Sequence, residues 1–260
     1  MKEKSTMVSK IRKTGIITKG IIYTLVGILT FLSAINMGGK VSGKNEVINF
    51  LENQTFGNVI LIIIAIGLLM YALWRMYSSF LDGKKEGSDT KGLTKRIGYF
   101  ISGLIYGWLS ISIFTNSLSS SSSNSRESAA RSLMESDGGI ILLYLIGVVL
   151  FFVGVYQFYK GFSHKFLEEI KKSGTVESQD ILKKTGKYGH MARGIAFAIF
   201  AFFVFVAASQ KNPQAIKGLE GMFNFLLSFT WGNVLMGIMA IGFIFYGVYQ
   251  YFLARYSTLY

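Results

Sequence analysis

The chain alternates long apolar stretches with shorter polar ones. Apolar runs occupy 16–37, 57–80, 98–118, 138–162, 189–209 and 231–254. Each reaches about 20 residues, and at about 1.5 Å per residue such a helix crosses a hydrocarbon core of about 30 Å. The pattern predicts six transmembrane helices. All 14 carboxylates fall outside these runs and the single proline, Pro213, falls in a connection, as expected where no water can satisfy a buried acid or a freed backbone group. In 215–229, "AIKGLEGMFNFLLSF", the residues Ile216, Leu219, Phe223, Leu226 and Leu227 follow a helical period. Val47, Ile48 and Leu51 do so more briefly, as do Ala129, Ala130, Leu133 and Met134. Three short amphipathic helices on the outer interface are predicted, the second preceded by a serine-rich linker at 117–125.

The odd-numbered long helices share a spacing. "GIITKGIIYTLVG" at 15, "GYFISGLIYGWLS" at 98 and "GHMARGIAFAIFA" at 189 each read Gly, four residues, Gly, two residues, aromatic. The even helices each begin at a glycine, Gly57, Gly139 or Gly232, and fifteen residues later carry "ALWR" from Ala72, "GVYQ" from Gly154 and "GVYQ" from Gly247. Copies are offset by 83 and 91 residues in the odd helices and by 82 and 93 in the even ones. The unit is therefore a two-helix hairpin present three times, at approximately 12–82, 95–165 and 186–256, within a single membrane domain spanning 1–260. The fold class expected is all-α and polytopic, with the three parallel hairpins about a pseudo-threefold axis. A basic start and an apolar run ending in "FLSAINMGG" could imitate a cleaved signal peptide, but equivalent helices begin at 98 and 189.

Charge orients the bundle. The formal net charge is +13, and 21 of the 27 Lys and Arg residues lie on the side that carries both termini. The positive-inside rule makes that side cytoplasmic. Acids split as 8 on that side and 6 on the other, so the whole excess faces anionic lipid, which is the partner expected; nucleic acid is not. Zero cysteines remove thiolate metal sites and cysteine catalysis. His164 and His190 are the only histidines, too few for a histidine-rich metal cluster, and no helix supplies a carboxylate base. The sequence therefore predicts no enzyme, no metal and no cofactor.

With these motifs the chain resembles the bacterial family of integral membrane proteins catalogued as domain of unknown function number 1206. That family is built from tandem two-helix repeats with Arg-Gly followed by Tyr near the first helix start. The resemblance covers nearly the whole chain. "ARGIAF" carries Arg193 and Gly194 with Phe197 in the tyrosine position; "TKGIIY" keeps Gly20 and Tyr23 and has Lys19; "ISGLIY" has Ser102 and no charge. The resemblance implies the repeat architecture and no activity.

Three groups of residues are candidates for a role. Gly20, Gly27, Gly103, Gly107, Gly154, Gly194 and Gly247 are expected to pack helices, because membrane helices associate through close backbone contact at small residues. Arg75 and the aromatics Trp74, Tyr156 and Tyr249 lie toward cytoplasmic helix ends and are expected to anchor at the interface. Lys19 and Arg193 are different. A charge inside a membrane helix costs about 2.5 to 3.5 kcal/mol, and these two sit at helix ends where the dipole is already positive. With Gly20 and Gly194 they form a candidate site for a lipid phosphate or a small anion at the cytoplasmic face. The alternative reading is a channel or transporter for a small solute along the pseudo-threefold axis, and a third is a scaffold whose basic loops recruit a partner.

Overall fold

The computed structural model describes residues 2–35, 57–84, 86–118, 134–136, 138–170 and 176–256. Its helices are α1 (Lys2–Ala34), α2 (Gly57–Phe80), α3 (Thr90–Leu118), α4 (Gly139–Phe162), α5 (Val176–Gln210), α6 (Leu219–Leu227) and α7 (Gly232–Tyr256). All but α6 are long and apolar enough to cross a membrane. The fold is therefore all-α and polytopic. α1 and α5 begin well before their apolar runs, because the preceding segments are rich in Lys, Glu and other good helix formers and the helix simply continues into them.

Of the three predicted amphipathic helices, α6 is present and seats Met222 and Phe223 wholly in the core. The two expected around 47–51 and 129–134 lie, apart from Met134, outside the described residues.

The long helices pack in the order α3, α2, α1, α7, α5, α4. Three of these contacts join the second helix of one predicted unit to the first of another: α2 with α3, α4 with α5, and α7 with α1. Each is centred on the glycine of the odd helix and the small residue of the even quartet. A methyl group on Gly247 would lie 2.8 Å from the Gly20 carbonyl oxygen, and one on Gly154 would lie 2.9 Å from that of Gly194. At the third contact a methyl on Gly103 would lie 3.3 Å from the Ala72 carbonyl oxygen, and one on Gly107 3.7 Å from the Ala72 Cβ. Gly27 extends the α1–α7 contact, 2.7 Å from the Ala240 oxygen by the same measure. Backbones this close need a missing side chain, and in a membrane that closeness is the main attraction available.

Within the units, α1 packs on α2 and α5 on α7, again through small residues. Methyls on Gly15 and Gly189 would fall 2.5 and 2.6 Å from the Cα atoms of Tyr71 and Tyr246, while Gly67 accepts Thr18 and Gly242 accepts Ala192. The middle unit departs from this. α3 and α4 do not pack along one another; α3 leans on α2, and α4 on α5. The positions equivalent to Gly67 and Gly242 hold Val149, and those equivalent to Thr18 and Ala192 hold Ile101. Two branched side chains thus replace a glycine and a small residue at the point of closest approach, and the helices stand apart. Val149 is 56 % exposed and Ile101 47 % exposed, and nothing lies within 4 Å of a methyl placed on Gly98.

Gly247→Val should force α1 and α7 apart at an overpacking cost of about 1–3 kcal/mol. Gly107→Ala meets ordinary van der Waals distance and should be close to neutral. Thermal unfolding of the two variants in one detergent distinguishes them, and equal melting temperatures would contradict the packing described.

Candidate functional site

One end of the bundle is the basic end, where α1, α3 and α5 enter and α2, α4 and α7 finish. Well inside it, cations and tyrosines interleave: Tyr71 precedes the end of α2 at Phe80, and Tyr246 the end of α7 at Tyr256, by more than two helical turns. Lys19 on α1 is 5 % exposed. Its Nζ donates to the Tyr246 hydroxyl of α7 at 3.0 Å and to the Tyr71 hydroxyl of α2 at 3.3 Å. The ammonium also lies 5.1, 5.6 and 5.3 Å from the ring centroids of Tyr71, Tyr106 and Tyr246. Arg193 on α5 donates through Nη1 to the same Tyr246 hydroxyl, with its guanidinium 4.4 Å from that ring and 5.6 Å from Tyr23. The rings brace one another edge-on, Tyr23 against Tyr246 at 4.9 Å and Tyr71 against Tyr106 at 4.8 Å. Cation–π contacts of this kind contribute about 2 kcal/mol when desolvated, enough to offset part of the cost of burying the charge.

The Tyr246 hydroxyl has a constrained role. Lys19 and Arg193 can only donate, so its oxygen accepts from both and its own O–H must point to a further acceptor. Tyr246 is 2 % exposed, and no acceptor for that proton lies among the described residues. The Tyr71 O–H is in the same position. Among the described residues Arg193 makes no ion pair. Two cations and two tyrosine hydroxyls therefore converge at one place, with one hydroxyl shared by both cations.

Arg75 extends the chain of cations. Its Nε donates to Ser102 of α3 at 3.3 Å, and its guanidinium lies 4.7 Å from the Tyr99 ring and 5.4 Å from Tyr71. Arg75 is thus turned into the bundle. The anchoring expected of Trp74 and Tyr249 is corrected, since both are buried in the protein. The reason is a fold-back of the α4–α5 connection: the turn Lys165–Glu169 seats Phe166 against the Tyr249 ring at 5.5 Å, while Lys84 covers Trp74 at 5.4 Å. Tyr156, on α4, stays exposed. Gly20 and Gly194 sit in the helix contacts already described and support the cations from behind.

Tyr71, Tyr106 and Tyr246 were not singled out as site residues by the sequence. A signal existed: a tyrosine precedes the even quartet in "YALWR" and "YGVYQ", where the middle unit has "VGVYQ". His190 was also set aside, yet its Nδ1 pairs with Gln157 Oε1 at 2.9 Å and its Nε2 is buried with no partner. Outside the spanning segments, Lys160 donates to Glu169 at 3.0 Å. Burial would raise the Glu169 carboxyl, but Lys160 and Lys84 together hold it well below the usual carboxylate range. Burial pushes Lys84 down to about 8, with Arg75 and Lys160 adding to the effect and Glu169 opposing it. No group of three or more potential metal ligands occurs among the described residues.

A family model described as Domain of Unknown Function (DUF1206) matches residues 14–82, 97–164 and 188–257. The chain is 27 % identical over 253 residues to the "Uncharacterized protein YxxB" of Bacillus subtilis (strain 168), covering 95 % of this chain and 90 % of that protein. No solved structure matches.

Tyr246→Phe keeps the ring and removes the oxygen that two cations share, so it should cost about 1–3 kcal/mol; exposed Tyr144→Phe is the comparison, and equal melting temperatures would count against the shared acceptor. Lys84 should acetylate with a midpoint near pH 8, below the ordinary lysine value of about 10.4. Glu169→Gln removes a charge that favours the ammonium, so the midpoint should move lower. Peptide mass spectrometry across a pH series reads both.

Proposed function

We propose that this chain, which belongs to the DUF1206 family and is a bacterial multi-pass membrane protein, is a non-enzymatic binding protein for the phosphate of an anionic lipid or for a small anion. Arg193 and Lys19 supply the charge, and Tyr246 and Tyr71 supply O–H donors. The observation that carries this reading is the Tyr246 hydroxyl, which accepts from both cations and has its proton left to give. A phosphate group offers several negatively charged acceptor oxygens, which suits donors that a neutral acceptor would satisfy only in part.

The same reading places the basic end in the cytoplasm of an inner membrane, where anionic headgroups are at hand. It treats the three hairpins as tandem repeats about a pseudo-threefold axis, with Lys19, Ser102 and Arg193 as the axis-facing set. Transport along that axis is less favoured. Beyond the tyrosines, toward the far end, Val26, Leu61, Ile64, Ile113, Phe203, Met236 and Met239 are buried, with Thr30 and with Ser110, whose hydroxyl donates to the Ala65 carbonyl, and a mostly apolar stretch of that depth gives a polar solute a poor path.

The test is binding of inorganic phosphate and of phosphatidylglycerol to purified protein, by titration calorimetry and native mass spectrometry. Hydrogen bonds to charged groups contribute about 1.5–3 kcal/mol each, so Lys19→Ala plus Arg193→Ala should weaken both ligands by about 100-fold. Arg193→Gln, which keeps more of the side chain's volume, should retain the fold and still lose about 10-fold. Unchanged affinity in both folded variants would sink the reading.

A further inference from the structure

The three equivalent helix crossings are not filled alike. At α2–α3 the end of Met76 lies over Gly103, where an added methyl would meet its Cε at 3.2 Å; at α1–α7 the ring of Tyr251 reaches Gly20, 3.7 Å by the same measure. The residue in that position on α4 is Phe158, and it forms a wall instead. A groove of about 430 Å³ runs between α4 and α5, with Gly154, Gly194 and Ala198 at its base. Phe158, Tyr159 and Phe162 line it from α4 and Ile195 from α5. All four of these side chains are exposed, so the groove opens outward from the bundle.

Its level along the helix matters. Phe162 is the last residue of α4, so the groove begins where the spanning helix ends. From there to Gly154 is eight residues, about 12 Å of helix, against about 15 Å for half of a hydrocarbon core. Lys165, three residues beyond Phe162, is exposed and brings its ammonium 5.0 Å from the centroid of the Tyr159 ring. Lys165 makes no ion pair among the described residues, and Glu169 of the same turn is taken by Lys160. An unpaired cation at the helix end thus borders an apolar groove nearly one leaflet deep.

We propose that this groove holds one acyl chain of an anionic glycerophospholipid from the leaflet at the basic end, with the lipid's phosphate on Lys165. The site is separate from the Lys19, Arg193 and Tyr246 cluster and does not depend on it. Charge selects the occupant. A zwitterionic headgroup carries its own cation to the lysine. A second copy of the chain, inserted in the same orientation, would set its own basic end beside this one, and like charges oppose that contact. An anionic lipid answers the ammonium and fills the groove with a chain that follows its length.

The test loads purified protein with equal amounts of phosphatidylglycerol and phosphatidylcholine bearing the same chains and reads retained lipid by native mass spectrometry. Ile195→Trp fills the groove from an exposed position, and Lys165→Gln removes the charge. Ile238→Trp, exposed on α7, and Lys91→Gln, exposed on α3, are the controls. Wild type should hold a phosphatidylglycerol in preference to phosphatidylcholine by about 10-fold; Ile195→Trp should weaken that lipid by about 10-fold or more, and Lys165→Gln should remove most of the preference. Retention unchanged by Ile195→Trp would overturn the proposal, as would a preference unchanged by Lys165→Gln. So would a wild-type dimer that Ile195→Trp dissociates, because the occupant would then be another copy of the chain. Both variants keep Lys19 and Arg193, so a lipid lost only from Lys19→Ala plus Arg193→Ala belongs to the other site and counts against this one.

Discussion

Close backbone approach at paired small residues is the constraint from which the rest of this bundle follows. Between helices already surrounded by apolar lipid there is little to gain from burying another leucine, and what remains is dispersion at short range. Gly20 against Gly247, Gly194 against Gly154 and Gly103 against Ala72 provide it at three equivalent contacts. Because each contact joins the second helix of one hairpin to the first of another, the chain's ends, α1 and α7, meet at the centre of the array. That meeting brings Lys19 and Tyr246, 227 residues apart, within hydrogen-bonding distance.

The site depends on the same approach. An ammonium well inside a membrane helix is costly unless its environment answers it, and Lys19 is answered by three tyrosine faces and two hydroxyls drawn from α2, α3 and α7. Tyrosine is suited to this because its ring attracts a cation while its body remains at home among apolar neighbours. It is neutral, however, so it lowers the cost of the charge without cancelling it. Tyr71 and Tyr246 are themselves buried, so cation, ring and hydroxyl leave the solvent together.

The six spanning helices were legible in the sequence because hydropathy over about 20 residues is a strong signal, and the repeated glycines marked where helices touch. The tyrosines were less legible. Tyr71 and Tyr246 stand one residue before a motif that was itself visible, but only the packing of α1 against α2 and α7 turns them toward Lys19. Trp74 and Tyr249 have the position and type of interfacial anchors, and no local pattern announces that Phe166 and Lys84 will fold back over them. Burial by a connecting segment is a tertiary effect, invisible to periodicity. The turn itself, with its short run of Lys, Phe, Leu and Glu, reads only as a polar loop.

α3 and α4, consecutive in the chain, keep their places in the bundle without packing on one another. Each of its helices has two interfaces to make. The ones toward α2 and α5 keep their small residues, Gly103 and Gly107 on one side and Gly147, Gly154 and Gly161 on the other. The interface between α3 and α4 has instead lost the glycine, the small partner, the cation and the tyrosine together. Substitutions scattered without regard to geometry would have damaged the outer interfaces as well, and the helices would have detached. Their concentration on the facing surfaces leaves two helices firmly held and mutually separated, with branched apolar side chains covering the exposed backbone.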